Sequence, residues 1–592
     1  MTPPSGPTRR SALTIAAVGV LAGCGFQPDR TIRPGLDVDA PEDRANTYVP
    51  PGPQDGDGPE ETILGFMRAG RVTGPQLDVA RSFLTQEAGD AWLTGSDAQT
   101  VVHESGVDAI PRITRLASDR WQATVRAVAV IDPQSRYGVT PPNDFRRFEF
   151  GLRRDGERWV IFELPEGFGR VLARDSMSRM YRSYPVHYTA NGYLVADLRW
   201  IPRDRQATRL TGTQLGSVPD YLRGAVSTDD SAELSVRAVP VVEGVAQVDL
   251  QTMSPDVVVR KQLAAQLVAT LRRLPDVNEV AISIGGSPLQ LPDVELPLTE
   301  PDQLGFANLR PTQSRLLARV GTRLLDVATG SLSTVRVDEL TRRSTPFAEV
   351  PATWRRLSLS PDGQEVAGVS GEAVELARWR DDGTQVAVPT FASDMTKPVY
   401  DVEGVLWVGG RGLRDEAGTR LWAINVSADP DDSQAAAPLG LPTPWLTDRD
   451  IRAIAISPEG SRLAYVTTPT RPGASVLEVA GVARSANGLP IAVTSEPLRV
   501  AASFEDIRDL VWVGPTRLAV IGRGQGRRAV GPHLVDVGGE ITEMTPRGGA
   551  VDITTVEGER QIVVSNGRGR CWVRSGTTWS EIEGVDGVVT SA

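Results

Sequence analysis

Two cysteines, three histidines and two lysines in 592 residues are the scarcities that shape this chain. Cys24 and Cys571 stand nearly a whole chain apart. That excludes a disulfide framework and a cysteine-based zinc site, whose ligands must cluster at short spacing. His103, His187 and His533 fall in three separate segments and would meet only if those segments docked on one another. Neither Lys261 nor Lys397 follows a glycine-rich loop, so a P-loop for nucleoside triphosphates is excluded. The strained Gly-x-Ser-x-Gly elbow of the α/β-hydrolases is missing; Ser370, in "VSGE", comes nearest and fails the spacing. Nearly all positive charge is arginine, which we read as a coding bias and not as chemistry. The net charge of −11 argues against a general nucleic-acid binder. No metal or cofactor site is expected.

What is present begins at the N-terminus. Arg9 and Arg10 precede an uncharged run of small and aliphatic residues, Ser11 to Ala22. The run is too short to cross a bilayer core, which takes about 20 apolar residues, but it has the length and flanks of a signal peptide. It ends in Leu21-Ala22-Gly23-Cys24, which is similar to the lipobox of bacterial lipoproteins. Small residues let a membrane peptidase close on the backbone, and the thiol is the handle for a diacylglyceryl group. Cys24 is therefore the expected lipidation site and first residue of the mature chain. Two acyl chains make a stable anchor where one does not.

Residues 24–58, rich in Pro, Gly and Asp, offer too few apolar side chains for a core and read as a tether. Asp55 and Asp57 have calcium-loop spacing, but the rest of that motif is missing. From residue 59 the pattern changes. "PEETILGFMRAG" puts Ile63, Phe66 and Met67 on one helical face, and "LDVARSFLT" does the same with Leu77, Ala80 and Leu84. "RWQATVRAVAVI" alternates as a strand, and Asp155-Gly156 marks a tight hairpin turn. Helices followed by an antiparallel sheet indicate an α+β domain over 59–184. A second α+β unit covers 185–296. In it "GVAQVDL" alternates, a helix carries Val259, Leu263, Leu267 and Leu271, and Pro275 stops that helix.

From residue 304 to 592 short strands and turns dominate, and a repeat emerges. "WRRLSLSPDGQEVAGVS" and "IRAIAISPEGSRLAYVT" share a strand, a Ser-Pro-acid-Gly turn and a second strand. Weaker copies are "VYDVEGVLWVGG", "IRDLVWVGPTRLAVIG" and "VDITTVEGERQIVVS", with turn glycines at Gly363, Gly404, Gly460 and Gly558. The spacing, about 40 to 55 residues, is that of a four-stranded propeller blade. The segment from Arg315 starts mid-blade, and "DGVVTSA" at the end is a spare strand. Together they would complete a sixth blade and close the ring.

Other candidate chemistry is sparse. Gly522 to Arg528, "GRGQGRR", reads as a hairpin loop with a basic spot, since no helix follows it. Glu60-Glu61 and Asp431-Asp432 are adjacent acids expected in loops. Cys571, in the strand "RCWVRS", is expected to be a buried, inert thiol.

Together these pieces resemble one family, the LpqB lipoproteins of high-GC Gram-positive bacteria. The resemblance rests on "VPPGPQDGDGPEETILGFMRAG" with "LDVARSFLT", on the order of the parts, and on "GVAQVDL" with "KQLAAQLVATLRRLPDVNEVAISIGG". The last two are similar to the GerMN domain of sporulation and germination proteins. The "SPDG" and "SPEG" turns are similar to those of TolB-like propellers. The resemblance implies a multidomain fold: two α+β domains, an NTF2-like cone and then GerMN, followed by an all-β propeller of about six blades. It implies a palmitate-bearing accessory protein on the outer face of the cell membrane, contacting the extracytoplasmic domain of the sensor histidine kinase of the Mtr two-component system. It carries over Cys24 and no catalytic residue. Two other readings remain open at this point. One is a sensor binding a cell-wall glycan or peptide. The other is an envelope hydrolase, which would need His187 or His533 in a cleft beside a serine or carboxylate.

Overall fold

The computed structural model describes residues 50–592, apart from 73–76, 93–97, 107–108, 310–314, 329–331, 333–344, 414–417, 430–431, 433–435, 525, 546 and 592. Cys24, the expected leader and most of the expected tether lie outside the described residues.

The first domain opens with the helix Pro59–Ala69. Pro59 suits the first helical position, where its missing N–H costs nothing. Glu61 reaches back to accept the Gly58 N–H at 3.1 Å. Glu60 and Glu61 thus occupy the first turn of a helix, where carboxylates favour the dipole, and not a loop. Ile63, Phe66 and Met67 are buried, as their spacing predicts. They pack on a six-stranded sheet in which Arg158–Glu163, Tyr137–Asp155, Arg120–Ile131, Gln99–His103 and Phe168–Ala173 lie side by side, with Arg112–Arg115 also paired to Arg120–Ile131. Along Arg120–Ile131 the inward positions Trp121, Ala123, Val125, Ala127 and Ala129 are all buried. Phe66 sits among Trp92, Phe150 and Phe168 with ring centroids 5.0–6.4 Å apart.

The second domain starts with a long hairpin, Tyr181–Ala190 and Tyr193–Pro202, in unbroken register. Asn191 and Gly192 both adopt positive φ, as a two-residue turn matching strand twist requires. Val245–Thr252 and Glu279–Ile284 pair in parallel, connected through the helix Val257–Leu271. The Asp256 side chain caps that helix by accepting the Val258 N–H at 2.7 Å. From Leu263 to Leu271 the helix is buried all round, because it lies between this sheet and the hairpin.

Six blade sheets follow. Blades 2 to 6 begin with the inner strands Trp354–Leu359, Val399–Tyr400, Arg449–Ile456, Phe504–Gly514 and Ala550–Thr555. Blade 1 joins Leu317–Val320 and Arg323–Asp326 to the C-terminal strand Gly587–Val589, so the two ends of the domain share one sheet. Gly363, Gly404, Gly460 and Gly558 all take positive φ in the turns between first and second strands.

Arginines tie neighbouring blades. Arg315 donates to the Gly363 carbonyl at 2.8 Å and Arg378 to that of Val426 at 3.1 Å. Arg484 pairs with Asp401 at 2.6 Å, Arg462 donates to the Pro515 carbonyl at 2.7 Å, and Arg517 pairs with Glu559 at 2.8 Å. A guanidinium has five donors in a planar fork, so it can hold its own blade and the next together.

The domains are joined through the Tyr193–Pro202 strand. Trp200 stacks on Tyr137 of the first domain at 4.9 Å, and its indole N–H donates to the Gly538 carbonyl of the propeller at 3.0 Å. Arg199, buried and paired with Asp197, also donates to the Gln134 carbonyl at 2.5 Å. Arg462 reaches from the propeller to the Ala196 carbonyl at 2.7 Å. Gly481 marks a close approach: a Cβ there would stand 2.6 Å from the Ala225 Cβ. One buried cluster runs from Val186 and Leu267 of the second domain through to Ala464, Trp512 and Val535 of the propeller.

Candidate functional site

The residues singled out by sequence do not converge. His103 lies on a sheet strand with Nδ1 2.7 Å from the Glu104 carbonyl. His533 meets the Phe504 ring edge-on at 4.8 Å. His187 is wholly buried with Nδ1 3.1 Å from Thr270 Oγ1. The domains dock, yet each histidine keeps its own surroundings, and neither His187 nor His533 has a serine or carboxylate among its hydrogen-bond partners. Ser370 Oγ accepts the Glu375 N–H at 3.2 Å, as a turn residue does. Cys571 is buried in a blade strand, and burial pushes its thiol up to about 12, the state of an inert thiol. In the "GRGQGRR" hairpin Arg523 and Arg527 are paired with Glu505 and Glu543. Asp55 pairs with Arg158 at 2.7 Å, and Asp57 accepts the Gln54 N–H. Asp431 lies outside the described residues. Among the described residues no group of three or more His, Cys, Asp or Glu could hold a metal ion.

His187 has a measurable consequence. Burial lowers its pKa from 6.5 to about 3. Between those values the unfolded chain binds a proton that the folded chain does not, so stability falls as pH drops below 6.5. The slope is about 1.4 kcal/mol per pH unit. His103 and His533, also lowered by burial, act with the same sign. His187→Asn keeps an acceptor or donor near the Nδ1 position and removes the titration. Urea midpoints measured from pH 6.5 to 5 should fall less steeply for this variant than for the parent; parallel slopes would refute the assignment.

A charged cluster that sequence reasoning missed joins inner strands of the propeller. Lys397, just before the inner strand of blade 3, places Nζ 3.6 Å from Asp552 Oδ1 on the inner strand of blade 6. In a ring of six these blades stand opposite one another, so the contact crosses the axis. Asp509, from blade 5, accepts the Ile553 N–H at 2.8 Å. Burial, and then the adjacent Asp552 carboxylate, raise Asp509 well above the usual carboxylate range, while Lys397 opposes the shift. The Asp509 and Asp552 carboxylates and the Lys397 ammonium thus meet where the inner strands of three blades converge. The available signal was a lysine in a chain that otherwise uses arginine.

Two clefts open elsewhere. One, of about 350 Å³, lies between the first domain and the propeller, lined by Glu104, Arg126, Tyr137, Arg174 and Glu540 among others. The other, of about 670 Å³, is formed by the 215–230 segment of the second domain. Among the described residues no helix is long and apolar enough to cross a membrane.

Two α+β domains and a six-bladed propeller, fused in that order, define a class of multidomain propeller proteins. Family comparison assigns 52–178 to the N-terminal domain of lipoprotein LpqB, 184–290 to the sporulation and spore germination domain, and 330–589 to the LpqB beta-propeller domain. The chain belongs to the LpqB lipoprotein family. It is 24% identical to lipoprotein LpqB of Streptomyces coelicolor, over 88% of this chain and 87% of that protein. It is 25% identical to that of Thermobifida fusca, over 89% and 90%. With that of Mycobacterium tuberculosis it shares 24% identity over 66% and 67%.

Proposed function

We propose that this protein is a lipid-anchored interaction scaffold on the outer face of the cytoplasmic membrane. It binds the extracytoplasmic domain of a sensor histidine kinase and modulates two-component signalling for the envelope, division or development. The supporting observation is the shared core. Three domains that pack as one body present a single shaped surface with fixed spacing between its parts. Such a body suits recognition, in which a stable interface of roughly 1,600 Å² forms without paying to order the domains first. The signal peptide and the acylation of Cys24 with palmitate belong to the same reading, as does the kinase, which follows from the family resemblance. Tethering to the kinase's own membrane raises effective concentration without any added contact.

Cys24→Ser is expected to shift the chain from the membrane fraction to the soluble one, with roughly a tenfold or greater drop in the bound share at physiological salt. Fractionation, with mass spectrometry of the N-terminal peptide, reads this directly. An unmodified thiol on membrane-bound parent protein would refute the anchor. For the partner, crosslinking of the acylated protein to the kinase ectodomain in membranes is the test. Crosslinks no more frequent than to an unrelated membrane protein would refute the kinase assignment.

A further inference from the structure

We propose that the outer face of the N-terminal sheet is a docking surface for anionic phospholipid headgroups. The inner face of this sheet is the buried one, carrying Ala123, Val125, Phe150 and Leu152. The outer face carries Arg112, Arg126, Arg147 and Arg153, all exposed; Arg126 stands at the end nearest the propeller, where it also lines the cleft with Glu104 and Glu540. Register places Arg112 beside Thr124 and Thr124 beside Arg147, with Arg126 and Phe145 paired in the adjoining row. Three guanidiniums and a phenyl ring therefore share one continuous patch. Phe145 is 53% exposed, and Ile110 and Leu116, at 55% and 51%, flank the Arg112–Arg115 strand at its two ends.

None of the four arginines forms an ion pair among the described residues; Arg153 lies 5.8 Å over the Phe162 ring. Arg120, on the same face, is already held by Glu163 at 2.7 Å. Glu149 is the carboxylate nearest in register, and Gln122 donates to it; at the propeller end Glu104, paired with Arg174, and Glu540 line the cleft with Arg126, which leaves Arg112 and Arg147 as the open centre of the patch. The patch is thus positive on a chain whose net charge is −11 and whose propeller arginines are largely paired. Cations interleaved with exposed apolar side chains match an interface of anionic headgroups above acyl chains.

The covalent context favours a membrane over an acidic protein. Twenty-six peptide links separate Cys24 from Pro50, a span of at most about 90 Å. The chain enters the domain at the edge of this same sheet, where Asp55 pairs with Arg158 beside the Asp155-Gly156 turn. A lipid surface is then the polyanion always within reach. This part of the argument rests on the anchor reading of Cys24, but the geometry of the patch does not.

The test uses the mature chain carrying Cys24→Ser, so that no acyl group contributes. Binding is measured by co-sedimentation with vesicles of phosphatidylglycerol and phosphatidylcholine, and with phosphatidylcholine alone. Binding to the anionic vesicles should be at least about tenfold tighter and should weaken with added salt. The triple variant R112E/R126E/R147E should lose affinity on the order of 100-fold, and F145A about threefold. All four positions are exposed, so an unchanged circular dichroism spectrum and urea midpoint serve as the folding control. Arg→Gln at the same three sites provides a second set should charge reversal disturb the sheet. Equal binding to both vesicle types, or a triple variant that binds like its parent, would overturn the proposal. So would a triple variant that keeps vesicle binding and loses a crosslinked acidic protein, which would assign the face to that protein. Failure of acylation at Cys24 in cells would overturn the anchor and leave the vesicle result standing.

Discussion

Arg462→Met is expected to cost about 3–5 kcal/mol of folding stability, the range for breaking a buried ion pair on one side. Arg462 and Glu459 are 1% and 3% exposed at their side chains and 2.7 Å apart. The guanidinium also donates to the Ala196 carbonyl of the second domain and the Pro515 carbonyl of blade 5, and lies 4.7 Å over the Trp512 ring. Methionine restores most of the volume but leaves Glu459 charged and the two carbonyls without this donor. Glu459 keeps hydroxyl donors in Ser457 and Ser461, too weak a substitute for a guanidinium. Urea unfolding of the parent and R462M should show the loss. The unfolding of the second domain and of the propeller should separate, because one of their joints has gone. The double variant R462M/E459Q, which leaves no buried charge, should recover a good part of the stability. A single variant within 1 kcal/mol of the parent would contradict the role given to this residue.

That joint explains what the sequence did and did not disclose. Period-two alternation around Trp121 and Val125, the helical spacing from Val259 to Leu271 and the turn glycines follow from local rules, and each element forms as those rules predict. The spare strand Gly587–Val589 was also legible, because a ring of four-stranded units starting mid-blade lacks one inner strand. The docking of domains was not. Arg199, Trp200 and Arg462 are ordinary strand residues in sequence, and their partners lie up to 338 positions away. The abundance of arginine carries more than coding bias for the same reason: Arg315, Arg378, Arg484 and Arg517 each reach a partner on another blade. Lys397 was in plain view as one of two lysines, but its role depends on Asp552, more than 150 residues further on and across the ring.

The degeneracy of the repeat has a physical basis at Asp401. In blades 2 and 4 the turn begins with a serine whose hydroxyl accepts a backbone N–H five residues on: Glu365 to Ser360 at 2.9 Å and Arg462 to Ser457 at 3.1 Å. Blade 3 reads Asp-Val-Glu-Gly instead of Ser-Pro-acid-Gly. There the Asp401 carboxylate accepts the N–H groups of Glu403 at 3.0 Å and Val405 at 2.9 Å. It also accepts the Trp407 indole N–H at 2.7 Å and pairs with Arg484 at 2.6 Å, with side-chain exposures of 0% and 2%. The residue type changed while the task of holding the turn remained, so a pattern search for serine loses the copy. Asp401→Ala should therefore cost about 3–5 kcal/mol, since Arg484 would remain buried without its counter-charge and the indole without its acceptor. Asp401→Ser, which restores the turn bond alone, should recover only a minor part of that loss. The Arg484→Met/Asp401→Ser pair, which removes the orphaned charge as well, should recover more. Urea unfolding followed by tryptophan fluorescence would read all three. If D401A and D401S proved equally stable to within 0.5 kcal/mol of the parent, the turn would be held by something other than this carboxylate.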